Sequence, residues 1–346
     1  MGDSGPPSVP PRPVNLRLLA YICAALTAAV LGGCDSSTGT VTAAPPPHTT
    51  STQTTTTTTT ATTQPGTGKP TVMIGDKNYT EQFVLGELYY EALQAQGFSV
   101  QIDQNIGPPG VTMQALASGQ LGMYPEYLNI WDAQIAGDTH QFKTRHAAYI
   151  AGNRYALTHG LELLNPTPFS DTSAIGVTDN FAKQNNLRTI GDLSKVESLL
   201  TIGGPPQFQQ ETAAGLPTLE QVYGVIPAGF KSLEIGQQYK ALDQDAVQAA
   251  DVNTTDGELT SGNYTLLGDP RHVFGIGNVV PVVSSETLDK EGPAFEDTVN
   301  KVSALLTLPA IRALNAAVDL GGEAPANVAE RFLVDHGLIP PSSSVI

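Results

Sequence analysis

Thr71-Val72-Met73-Ile74-Gly75 leads through Asp76-Lys77-Asn78-Tyr79 into Thr80-Glu81-Gln82-Phe83-Val84-Leu85-Gly86-Glu87-Leu88-Tyr89-Tyr90-Glu91-Ala92-Leu93. The first five residues read as a short strand. Val84, Leu85, Leu88, Ala92 and Leu93 fall on one helical face. Asn78 and Glu81 sit three apart, like a capping box, and Gly97 is a plausible stop. Phe98 to Ile106 then alternates as a second strand. Strand, helix and strand in that order imply an α/β fold with a mostly parallel sheet covered by helices.

The same alternation extends outward. Gly107-Pro108-Pro109-Gly110 reads as a loop, Val111 to Ser118 as a helix and Gln120 to Tyr124 as a strand. A second series begins near Asn180. It has a helix start at Thr189 to Leu193, a strand at Leu199 to Ile202 broken by Gly203-Gly204-Pro205-Pro206, a helix at Tyr239 to Leu242 and a strand at Ala246 to Val252. Val279 to Val283 is a strand interrupted by Pro281, which predicts an edge or hinge element. The tail reads as three helices, Phe295 to Leu306, Pro309 to Leu320 and Ala326 to His336. In such sheets ligands bind where strands run into loops and helix N-termini. That selects the loops at Lys77, Gly107 to Gly110, Tyr124 to Tyr127, Gly203 to Phe208 and Asn253 to Gly257.

Ahead of this region stands an export signal. Arg12 and Arg17 precede an apolar run, Leu18 to Val30, too short to span a bilayer but suited to a signal sequence. It ends in Leu31-Gly32-Gly33-Cys34, which resembles a bacterial lipobox, so residues 1–33 are expected to be a lipoprotein signal peptide and Cys34 the lipidated residue. Residues 34–69 contain Pro45-Pro46-Pro47 and the run Thr54 to Thr60. Such a segment buries too little apolar surface to offset its ordering entropy and reads as a disordered tether. The expected location is the extracytoplasmic face of the cell membrane, held by lipid alone. Cys23 and Cys34 are the only two cysteines, which leaves the domain beyond the tether no thiol for a disulfide, a metal or a nucleophile. The net charge of −16 argues against nucleic acid as a partner. No Gly-x-Ser-x-Gly, His-Glu-x-x-His or P-loop is present, so no catalytic role, metal or cofactor is expected.

Lys77-Asn78-Tyr79-Thr80-Glu81-Gln82 with Leu85-Gly86-Glu87-Leu88 resembles the opening of substrate-binding proteins of osmoprotectant ABC importers, the glycine betaine, carnitine and choline group. Tyr124-Pro125-Glu126-Tyr127 is similar to a second motif of that family. Gly203-Gly204-Pro205-Pro206, Tyr223-Gly224, Tyr239-Lys240-Ala241-Leu242, Thr254-Thr255-Asp256-Gly257 and Asn278-Val279-Val280-Pro281 resemble its actinobacterial branch. The resemblance covers about Pro70 to Leu338. It implies a two-lobed periplasmic-binding-protein fold of type II with the ligand cleft between the lobes. Residues 70–178 with 272–346 would form the first lobe and residues 179–271 the second. It also implies capture of a small molecule by a monomer and delivery to ABC permease and ATPase subunits.

A quaternary ammonium has no N–H to donate and is best held by aromatic faces. Family members use several tyrosines. Of these, Tyr127 and Tyr239 are retained, and Lys77 and Gln82 keep polar positions of the opening motif. Ser173 and Leu216 stand where relatives have cage tyrosines, with Phe208, Phe169 and Trp131 as substitutes. Gly110 lies where helix N–H groups would meet an anion, and Thr255 lies in a cleft-lining turn. With two walls missing, a larger neutral hydroxylated or aromatic ligand is the alternative to a betaine. A ligand sensor and an anchored enzyme are the competing functional classes.

Overall fold

The computed structural model describes residues 63–341. The signal segment, Cys34 and the tether up to residue 62 lie outside that range. Among the described residues ten strands occur in chain order: β1 (Thr71–Gly75), β2 (Ser99–Asp103), β3 (Met123–Tyr127), β4 (Leu161–Leu163), β5 (Ser173–Thr178), β6 (Thr201–Gly204), β7 (Gly229–Ser232), β8 (Ala249–Asn253), β9 (Tyr264–Leu266) and β10 (Val279–Ser284). They form two five-stranded sheets, ordered β2-β1-β3-β10-β4 and β7-β6-β8-β5-β9. Each sheet with its helices is one lobe of an α/β fold.

Both sheets are mixed, which corrects the mostly parallel expectation. Parallel pairs β1–β2, β1–β3, β6–β7 and β6–β8 come from the strand-helix-strand units. The antiparallel pairs all involve β5 or β10. Those are the strands that follow each passage between lobes, where the chain enters the sheet from the opposite end. Their entry points also move a boundary. Ser173–Thr178, assigned to the first lobe from the sequence, pairs with β8 and β9 of the second sheet. The passages between lobes are therefore residues 164–172 and 267–278.

Pro281 is not at an edge. β10 lies between β3 and β4, with Pro281 opposite Pro125. Its carbonyl accepts from Leu164 N at 2.9 Å, just past the end of β4. The N–H that proline lacks falls where that ladder has run out, so a central strand tolerates it.

The helix Thr80–Ala95 buries the face read from its sequence, Val84, Leu85, Leu88, Ala92 and Leu93. It packs against the tail helices Pro293–Leu305, Leu308–Asp319 and Pro325–Asp335. Each fully buried aliphatic side chain there contributes about 1.5–3 kcal/mol. Its N-cap is Tyr79, with no side-chain cap bond, so the Asn78–Glu81 capping box does not form. Glu81 is instead buried and turned towards the second lobe's loops. Residues ahead of Pro70 also join the fold: Gln64 Nε2 donates to Ala95 O at 2.9 Å, and Lys69 Nζ donates to Lys290 O at 2.7 Å.

Two glycines allow close approaches that shape the space between the lobes. A Cβ on Gly277 would stand 1.7 Å from the Asp171 carbonyl oxygen, where the two inter-lobe passages run side by side. A Cβ on Gly257 would stand 2.7 Å from Ala316 Cα, where the helix Leu308–Asp319 rests on the turn after β8. That contact carries Asn315 to the cleft.

Candidate ligand cleft

The first lobe's wall is a chain of buried hydrogen bonds. Lys77 Nζ meets Glu126 Oε1 at 2.5 Å, and the Glu126 side chain is fully buried. The same oxygen accepts from Tyr127 N at 2.9 Å, while Tyr124 OH donates to Oε2 at 3.3 Å. Gln82 Oε1 accepts from Lys77 N at 3.3 Å. Tyr127 OH donates to Glu81 Oε1 at 2.8 Å, and Asn315 Nδ2 donates to Glu81 Oε2 at 2.9 Å and to Thr255 O at 3.0 Å. The ring of Tyr79 stacks on that of Tyr127 with centroids 6.3 Å apart.

The opposite wall comes from the second lobe. Tyr239 OH donates to Asp256 Oδ2 at 2.8 Å, and that oxygen also accepts from Asn253 N at 2.9 Å. Tyr264 meets the Tyr239 ring edge-on, with centroids 4.7 Å apart. Thr254 Oγ1 donates to Ser170 O at 2.8 Å and Arg312 Nε donates to Thr254 O at 2.8 Å, tying this turn to the passage and to the tail helix. Between the walls is a cleft of about 410 Å³, lined by Tyr79, Glu81, Asp171, Tyr239, Thr255, Asp256 and Asn315, among others.

Its electrostatics follow from burial. Desolvation pushes the Glu81 carboxyl up; hydrogen bonds from Thr255, Asn315 and Tyr127 oppose the rise. Asp171 is raised well above the ordinary carboxylate range by burial and then by the charge of Glu81. Asp256 is raised, chiefly by burial. Burial also raises the phenols of Tyr127 and Tyr239, so both stay protonated donors. Among the described residues the ion pairs do not include Glu81, Asp171 or Asp256. Aromatic faces and carboxylates together suit an organic cation.

Of the positions read from the sequence, Tyr239 and Thr255 line this cleft. Tyr127 stands behind Glu81, and Lys77 and Gln82 are tied into the wall. Tyr127 and Tyr239 do not stack on each other; each is bonded to its own carboxylate. Ser173 lies on β5 opposite Asn253, and its hydroxyl opposes the burial that pushes Asp251 up to about 7. Phe208 is buried in the second lobe's core, 6.5 Å from Phe230, and Leu216 packs on the same core. Gly110 is exposed in the helix Pro109–Ala117, with no atom within 4 Å of a Cβ built on it. Phe169 and Trp131 are buried in the first lobe, and Trp131 Nε1 donates to Gly152 O at 3.1 Å. A larger hollow of about 680 Å³ runs between residues 129–148, 211–222 and 272–276 and includes none of these positions.

The sequence reading missed Glu81, Asp171 and Asn315 as cleft residues. Asn315 carried a signal: it interrupts the buried face made by Ile311 and Leu314. Glu81 was assigned to a cap, and Asp171, in an irregular passage, carried no signal.

The family of substrate-binding domains of ABC-type glycine betaine transport systems matches residues 70–335, and the chain belongs to it. A glycine-betaine-binding protein of Pseudomonas aeruginosa is 27% identical over 280 residues, 78% of this chain and 89% of that protein. A carnitine transport binding protein of Listeria monocytogenes is 25% identical over 270 residues, 78% of this chain and 87% of that protein. A crystal structure described as a glycine betaine/carnitine/choline ABC transporter superposes with a TM-score of 0.72 at 22% identity, covering 77% of this chain and 99% of that one. At that identity it shows the fold: two lobes of the type II periplasmic-binding class.

Proposed function

We propose that this chain is the extracytoplasmic solute-binding component of an ABC importer, and that it captures a small organic cation of the osmoprotectant type between its lobes and delivers it to a permease. The observation that carries this reading is the cleft itself: Tyr79 and Tyr239 stand beside Glu81, Asp171 and Asp256 with no paired base among the described residues. The relatives' names point to glycine betaine and carnitine as the class to test first. Passages 164–172 and 267–278 would act as the hinge, and a lipid on Cys34 would hold the protein at the membrane. A neutral hydroxylated ligand would donate hydrogen bonds to the buried carboxylates but leave their charge uncompensated, so the acidity favours the cationic reading.

Thermal unfolding of the full chain against choline, glycine betaine, carnitine and simple amines tests it. A ligand at a hundred times its dissociation constant should add about 2.7 kcal/mol of stability. No shift with any organic cation would overturn the proposal. Separately, Cys34→Ala should release the protein from membranes or block its processing; a cleaved, membrane-bound variant would exclude the lipid anchor.

A further inference from the structure

The charged groups that line the cleft are all carboxylates: Glu81, Asp171, Asp256, Glu258 and Asp319. Tyr127 OH is committed to Glu81 and Tyr239 OH to Asp256. Asn315 Nδ2 is shared by Glu81 and Thr255 O. The other end of that amide differs. Asn315 is only 5% exposed and lines the cleft, and its Oδ1 has no partner among the described residues. A buried acceptor left unpaired costs about 1–3 kcal/mol, so this atom calls for a donor. Lys77, the lysine of the first wall, is held by Glu126 at 2.5 Å. Arg312 bears on Asp256 from the tail helix, with its Nε donating to Thr254 O, and is not among the residues that line the cleft.

A trimethylammonium zwitterion fits this set poorly. Its cation has no N–H for Asn315 Oδ1, and the residues that line the cleft include Asp171, Asp256 and Glu258 but no lysine or arginine to meet its carboxylate. We propose that the cleft selects a cation that carries N–H donors and no carboxylate, a primary amine or a guanidine, through Glu81, Asp171, Asp256 and Asn315. This rests on the reading of the cleft as an organic-cation site and narrows its ligand.

Protonation supports the same choice. Glu81 faces Tyr79, Tyr127, Thr255, Asp256 and Asn315; Asp171 faces Tyr79, Glu81, Thr254, Thr255 and Asp256; Asp256 faces Glu81, Tyr239, Glu258, Arg312 and Asp319. Burial and mutual repulsion favour protons on the first two when no cation is present. An entering ammonium group stabilises the carboxylate form, and the acid protons pass to the buffer.

Calorimetry on the full chain with agmatine, putrescine, choline and glycine betaine, each in two buffers of different ionisation enthalpy, tests the inference. Agmatine or putrescine should bind at least about tenfold tighter than glycine betaine and release protons. Asp256→Asn and Asp171→Asn should each weaken the amine about ten- to a hundredfold and move glycine betaine by less than about twofold. Asp256→Glu, which keeps the charge, should retain the amine preference and guards against a variant that merely misfolds. Tighter binding of glycine betaine than of either amine would overturn the inference and leave the transport reading standing. No binding of any cation to the folded wild type would overturn both.

Discussion

Lys77 and Tyr239 both come from family motifs, yet they serve opposite walls of the cleft in different ways. Lys77 is tied into a run of bonds through Glu126, Tyr127 and Glu81 that ends on the unpaired Oδ1 of Asn315. Tyr239, itself buried, is hydrogen-bonded to Asp256 alone, and the rim beside it is open at Ile235, which is 85% exposed. The first wall is thus formed in advance, at the expense of burying charge. The second holds its tyrosine through one hydroxyl bond and the edge of Tyr264, beside an open rim. The difference separates residues that build the site from residues free to touch what enters it.

Lys77→Met should break that contrast most strongly. It strands Glu126, whose side chain is fully buried, and should cost about 3–5 kcal/mol of unfolding free energy in a urea titration. Lys77→Met with Glu126→Gln should recover most of it. A loss under about 1 kcal/mol would mean the first wall is not a bonded unit. Next comes Gly277→Ala, whose Cβ would stand 1.7 Å from the Asp171 carbonyl oxygen. The passages must shift apart, at about 1–3 kcal/mol or more, and the melting temperature should fall. An unchanged melting temperature would show that the passages are not locked together.

The smallest effect compares two hydroxyls. Tyr127→Phe leaves Glu81 short of a donor in a buried site and should cost about 1–3 kcal/mol, whereas Tyr239→Phe should cost about 1 kcal/mol or less, since Asp256 keeps Asn253 N. Equal losses by chemical denaturation would erase the distinction between the walls.

The elements were legible where periodicity governs them. The helix Thr80–Ala95 buries the predicted face because its apolar spacing leaves no other choice. The strands β5 and β10 were misread in placement because their partners are set by where the chain changes lobes, which local pattern does not encode. Pro281 suggested an edge, and only the short length of β4 explains why it is not one. At the site, motif residues were found but their roles were not. Tyr127 looked like a ligand contact and instead donates to Glu81. Glu81 looked like a cap because three-residue spacing fits both a capping box and a carboxylate turned inward. Phe208 and Leu216 belong to the second lobe's core, where an apolar side chain needs no ligand.

The central claim is that buried carboxylates hold an organic cation between the lobes. It is tested most directly by the affinity of the tightest-binding amine, measured by calorimetry from pH 5 to pH 8, where its own charge is constant. Glu81, Asp171 and Asp256 are all raised from their ordinary values. A cation favours their ionised forms, so raising the pH removes the protons that compete with it. The account predicts affinity that strengthens as pH rises, with proton release largest at the acid end. Affinity that is flat or weakens across this range would contradict it.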